Sequence, residues 1–171
     1  MRIARPGIMT HESRMLLDRS LLDLPDAAHF FATGGRLLAA AALGGLIGAQ
    51  RERVHSAAGF RTHILVALGS ALFVLAGREA GFSASDTSRV VQGIVAGIGF
   101  LGAGTILKLA DRGEVHGLTT AATIWVTAAV GVAASIGPLW IPTFSAVLTW
   151  VVLAFAVRLE SSRTKGPPPV S

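Results

Sequence analysis

Val115-HGLTTAATIWVTAAVGVAASIGPLWIPTFSAVLTWVVLAFA-Val157 is a run of 43 residues with no Asp, Glu, Lys or Arg. As one helix it would measure about 65 Å at 1.5 Å per residue, roughly twice the 30 Å hydrocarbon core of a bilayer. The run therefore reads as two spans joined by a turn. Gly137-Pro138 supplies that turn, because proline lacks the donor a continuing helix needs and glycine tolerates the bend. The whole 171-residue chain is similarly poor in charge: 51% of it is hydrophobic and 15% charged, against about 25% charged in an average soluble domain. Mean hydropathy is +0.60. A chain with so little charge cannot solvate an ordinary globular surface, which disfavours a soluble one-domain enzyme.

Of the 25 charged residues, 12 fall outside residues 30–157. Within that stretch five apolar segments stand out, at 30–50, 62–77, 90–107, 118–136 and 139–157, with lengths that suit spanning helices. The fold expected is all-α, a polytopic bundle of about five transmembrane helices. Arg36 lies inside the first segment and is expected to snorkel to a helix end. Residues 1–29 form a polar tail with no signal-peptide h-region, and Leu17, Leu21 and Leu24 suggest a short interfacial helix there. Residues 158–171 form a basic, proline-rich tail.

With the N-terminus outside, eight Lys and Arg residues of the short loops and C-terminal tail face the cytoplasm and only Arg78 and Arg89 face out. The positive-inside rule thus gives N-out, C-in. It also turns the net charge of +5 into an orientation signal, and no nucleic-acid partner is expected. The chain has no cysteine, which removes disulfides, thiolate metal sites and cysteine nucleophiles.

Gly97-Ile-Gly99-Phe-Leu-Gly102 matches the G-x-G-x-x-G dinucleotide fingerprint in letters only, since it sits inside an uncharged run with no preceding strand. Gly44/Gly48 and Gly93/Gly97 are G-x-x-x-G pairs of the kind that bring membrane helices together. Alternatively, Gly93, Gly97, Gly99, Gly102 and Gly104 make a deformable helix lining a cavity. A parallel repeat with a 58-residue offset lays Gly44 on Gly102, Gly59 on Gly117 and Thr62 on Thr120.

The polar candidates fall in three groups. Glu52, Arg61 and His63 either anchor the first loop or fold back onto the bundle mouth, where His63 already lies within an apolar pattern. Asp86 or Ser85 suits a helix cap, or else Asp86, Arg89 and Gln92 form a polar stripe entering the third span. Thr120, Thr123 and Thr127 share a helical face that serves packing or lines a polar path. Ser70 and His63 lie about 10 Å apart along one helix, so no hydrolase pair is assembled, and neither catalytic nor cofactor-binding residues are assigned. No histidine pair has helical metal spacing and no carboxylate lies deep in a span, so no metal ligands are assigned.

Four ordered motifs carry a family resemblance: Gly44-Gly-Leu-Ile-Gly48-Ala-Gln-Arg51-Glu52, Ala58-Gly59-Phe60-Arg61-Thr62-His63, Gly97-Ile-Gly-Phe-Leu-Gly-Ala-Gly104 and Gly117-Leu-Thr-Thr-Ala-Ala122 with Trp125. Over residues 36–157 the chain resembles the MgtC/SapB family of bacterial inner-membrane proteins, in a short form lacking the soluble C-terminal domain. The resemblance implies five spans with a cytoplasmic C-terminus, a multi-pass place in the inner membrane, and a link to magnesium limitation. For virulence-associated members it also implies survival in macrophages and restraint of the F-type ATP synthase. The expectation is a non-enzymatic regulator or accessory protein without a cofactor, set in the lipid bilayer and contacting a membrane protein complex or further copies of itself. The alternative is a transporter or channel for Mg²⁺ or another small solute.

Overall fold

The computed structural model describes residues 26–108 and 115–163. Five helices follow in order: α1 Ala27–Arg53, α2 Phe60–Glu79, α3 Ala84–Ala103, α4 Leu118–Ile136 and α5 Trp140–Arg163. A two-residue antiparallel ladder, β1 Leu107–Lys108 with β2 Val115–His116, sits between α3 and α4. The expected interfacial helix around Leu17–Leu24, Arg112 of the third loop and the tail residues 164–171 lie outside the described residues.

By its contacts the chain divides between Ala32 and Thr33. In the first unit the described residues open α1: the Asp26 carbonyl accepts the Phe30 N–H, and the Phe30 and Phe31 rings meet edge-on at 5.8 Å. The second unit holds the remaining helices. Its buried contacts gather in three clusters, around Ala40, Ala67, Ala71 and Ala134, around Ile47, Val130, Ala146 and Leu153, and around Ala58, Val66, Ile124 and Ala128. Each contains residues of α4, which is therefore the central helix. Small side chains in these clusters let the backbones approach, and at Gly131 the Ala67 carbonyl occupies the place a Cβ would need. Bulky residues such as Phe73, Trp125, Phe144 and Val152 face outward, the arrangement lipid favours, because acyl chains are as apolar as leucine and close packing holds the helices together.

By length and composition α1, α2 and α4 suffice to cross a membrane, while the apolar stretch Trp140–Phe155 of α5 is shorter. The third helix differs from its expected bounds, starting at Ala84 rather than 90 and ending at Ala103 rather than 107. The reason is a capping box in which Ser83 is the N-cap and Asp86 the N3 residue, so the cap is Ser83, with neither Ser85 nor Asp86 in that place. The helix is continuous through the glycines, and no break forms within it. The uncharged run divides as expected, with α4 ending at Ile136, Gly137 capping it and α5 opening at Trp140.

The C-terminus of α4 is closed by two arginines. Arg36 of α1 donates to the carbonyls of Ala134 and Gly137 at 2.8 and 2.9 Å, and Arg78 of α2 donates to that of Ser135 at 2.6 Å. The last carbonyls of a helix lack intrahelical donors and carry partial negative charge. Arg36 thus finds its partner in a neighbouring helix rather than by snorkelling along its own.

The 58-residue offset reappears in the architecture. Helices α2 and α4 begin at Phe60 and Leu118, each behind a glycine N-cap, Gly59 and Gly117. In the first hairpin Gly44 faces His63, and in the second Gly102 faces Ala121, at equivalent positions.

Candidate functional site

Gly44 and Gly48 let α1 lie against the start of α2. A Cβ at Gly44 would stand 2.6 Å from the His63 carbonyl oxygen, and one at Gly48 would stand 2.8 Å from the Phe60 Cα. This contact buries His63 completely. Its Nδ1 lies 2.8 Å from the Gly59 carbonyl oxygen, which can only accept, so Nδ1 is the donor of this bond. Nε2 is buried with no hydrogen-bond partner among the described residues, and the same holds for Oε1 of the buried Gln50.

Arg51 follows the Gly44/Gly48 face by one turn and is buried with it. Its guanidinium donates to Ser56 Oγ at 3.0 Å and to Thr120 Oγ1 at 3.4 Å, and those two hydroxyls lie 2.9 Å apart. One polar knot therefore ties the end of α1, the α1–α2 loop and the start of α4. Glu52 points the other way, and its carboxylate accepts the Phe60 N–H at 2.6 Å. Gly59 has no side chain to cap α2, so Glu52 supplies both the acceptor and the negative charge that a helix N-terminus favours. Glu52 and Arg61 share a polar depression of about 610 Å³ with His55, Ser56 and Thr62.

Of the three residues proposed for the bundle mouth, Glu52 and Arg61 thus face one depression, while His63 turns into the core. Gln50, Arg51 and Ser56 were not singled out by sequence reasoning. The available signal was Arg51's place one turn beyond Gly48, which put a charge on the packed face.

The Asp86, Arg89, Gln92 stripe stays on the surface. Asp86 accepts from the Ser83 hydroxyl at 2.6 Å and the Ser83 N–H at 3.1 Å, while its own N–H reaches Ser83 Oγ at 3.2 Å. Asp86 lies in the polar first turn, ahead of the apolar part of α3, and the Ser83 hydroxyl and N–H hold its carboxyl below the ordinary carboxylate value. Arg89 and Gln92 are exposed, and Gln92 borders a depression shared with Arg78, Phe82 and Ile136.

Gly93 and Gly97 line an apolar cleft between α2 and α3 together with Gly69 and Ser70. Nothing lies within 4 Å of a Cβ built at Gly93, Gly97 or Gly99, so among the described residues these three make no close helix contact. Gly102 packs on Ala121 at 3.5 Å, and Gly104 caps the C-terminus of α3. The threonine face is buried. Thr123 donates to the Thr120 carbonyl at 2.9 Å and Thr127 to the Thr123 carbonyl at 2.7 Å, which leaves Thr120 as the member that bonds across elements. Among the described residues no group of three or more His, Asp or Glu could hold a metal ion.

The family model described as the MgtC family matches residues 37–162. The chain is 50% identical to Protein SrpB of Synechococcus elongatus over 129 residues, covering 67% of this chain and 70% of SrpB. It is 40% identical to YhiD of Escherichia coli K12, whose name proposes a magnesium transporter, over 69% of this chain and 57% of YhiD. It is 46% identical to Protein MgtC of Brucella abortus over 75% of this chain and 51% of that protein. The chain thus spans little more than half the length of the last two. No solved structure matches it.

Proposed function

Because the chain belongs to the MgtC family of membrane proteins, we propose that it is a multi-pass protein of the bacterial inner membrane, N-out and C-in, that regulates another membrane complex under magnesium limitation. It acts without catalysis, through helix contacts, and the F-type ATP synthase is the partner that the family resemblance brings forward. The observation that carries this reading is where the polar side chains go. Arg36, Arg51, Arg78, Thr120 and Ser135 all bond across elements, so polarity inside the bundle holds helices together, and an apolar cleft lies between α2 and α3.

A tagged copy extracted from membranes of cells grown at low Mg²⁺ tests the proposal. A membrane complex is expected to copurify, and a deletion strain is expected to grow poorly at low but not normal Mg²⁺. No partner above background under either condition would count against it. In the same strain Asp86→Ala separates two roles: lost complementation at an unchanged membrane level marks the stripe as functional, whereas a lowered level marks Asp86 as a cap alone.

A second reading, a transporter or channel for Mg²⁺ or another small solute, draws on the parallel hairpins with equivalent Gly44–His63 and Gly102–Ala121 contacts, a repeat style that some transporters use, and on the name of YhiD. Mg²⁺ flux into liposomes holding the purified protein, saturable and absent from protein-free liposomes, would establish it in place of the first.

A further inference from the structure

The cleft between α2 and α3 has a volume of about 460 Å³ and lies near the middle of both helices. Its wall on α3 includes Gly93 and Gly97 beside Val90, Ile94 and Ile98, and an added Cβ at either glycine meets nothing within 4 Å. Its wall on α2 includes Ser70, only 4% exposed, whose hydroxyl makes no hydrogen bond among the described residues. Gln92, exposed on α3, likewise makes none there. With α2 and α3 in the bilayer, as the proposed function has them, an unsatisfied hydroxyl and an unsatisfied amide are both costly, and each is what the other needs.

The two groups lie at one depth. Ser70 is nine residues before the end of α2 at Glu79, and Gln92 is eight residues after the start of α3 at Ala84, at the shared end of the two antiparallel helices. Within one chain they do not meet. Gln92 lies about 100° around α3 from Gly93, on the side turned to Phe82 and Ile136, away from the cleft. A two-fold axis along the membrane normal preserves depth, so Gln92 of one copy stands at the level of Ser70 of the other.

Two more features of the same face fit a second copy. Phe100, 85% exposed, stands one turn beyond the glycines as a knob beside a hole. Asp86 and Arg89, exposed and opposite in charge, occur together in the first turns of α3, and a self-complementary two-fold contact can use both signs.

We propose that α3 is a dimerisation helix: two copies of this chain cross at Gly93 and Gly97, and Gln92 of each copy bonds to Ser70 of the other. Small residues that let backbones approach, with a polar side chain as glue, are how membrane helices associate.

The chain has no cysteine, so single-cysteine variants oxidised in native membranes report the contact cleanly. Ala96→Cys, on the proposed face, is expected to cross-link to twice the chain's mass, and Val152→Cys, exposed on α5, is not. Gly93→Leu with Gly97→Leu in the Ala96→Cys background is expected to reduce the dimer at least tenfold at an unchanged membrane level. Gln92→Leu is expected to weaken association about three- to tenfold. The proposal is overturned if Ala96→Cys cross-links no more than Val152→Cys, if its adduct has a mass other than two chains, or if the leucine pair leaves the dimer intact. Should the leucine pair lower the membrane level, the surface change Gln92→Leu decides, and unchanged cross-linking there overturns the proposal.

Discussion

The chain carries the same G-x-x-x-G spacing twice, at Gly44/Gly48 and at Gly93/Gly97, and the two pairs meet opposite surroundings. Around the first, backbone atoms of Phe60 and His63 stand where a Cβ would have to go; around the second there is open space. The difference follows from what each helix lies against. Helix α1 is held to α2 by the Glu52 cap and to the following loop and α4 by the Arg51 knot, whereas α3 leans on its neighbours through Ile94 and Ile98 and leaves its glycine face uncovered. One motif can therefore seal a chain internally or offer a surface, and only the neighbours decide which.

The sharpest way to break this contrast is substitution at the inward pair. Gly48→Ala places a methyl group against the Phe60 Cα and the His63 Cβ, and overpacking of this kind costs about 1–3 kcal/mol. A marked fall in thermal unfolding temperature in detergent is expected, and an unchanged temperature would remove the basis for calling this pair closed. Glu52→Ala takes the acceptor and the charge from the start of α2 and is expected to cost about 1 kcal/mol, read in the same assay.

The outward pair is expected to respond with the opposite sign. Gly97→Ala meets no atom within 4 Å and exchanges glycine for a better helix former, so unfolding is expected to become harder by about 0.5–1 kcal/mol in the monomer. The smallest effect concerns the N-terminal end of α3. Asp86 is held below its ordinary value by Ser83, so the unfolded chain takes up its proton first as pH falls. The contribution is complete above the unfolded value of about 4 and is lost as pH drops through the lower folded value. Wild type is expected to lose slightly more stability than Asp86→Asn between about pH 5 and pH 3, and identical profiles would show that the capping box carries no charge dependence.

Much of the architecture was legible from charge and apolar spacing. The uncharged run with its Gly137-Pro138 turn gave two helices, and five segments gave five helices. Boundaries were less legible: a capping box outweighs hydropathy at Ser83, so α3 begins in residues that look like a loop. The polar knot was hidden for a different reason. Arg51 sits in an arginine-rich loop where positive-inside anchoring explains any arginine, and its partners Ser56 and Thr120 come from a turn and from the distant α4. Spacing along a chain does not reveal which hydroxyl a guanidinium will reach. Likewise the two glycine pairs are indistinguishable as letters, because their difference resides in residues far away in sequence.

The claim that this protein presents the glycine face of α3 to another helix is tested most directly by the mass of the protein in lipid nanodiscs. Wild type is predicted to hold two copies per disc and the Gly93→Leu, Gly97→Leu variant one. A single copy in both would contradict the account.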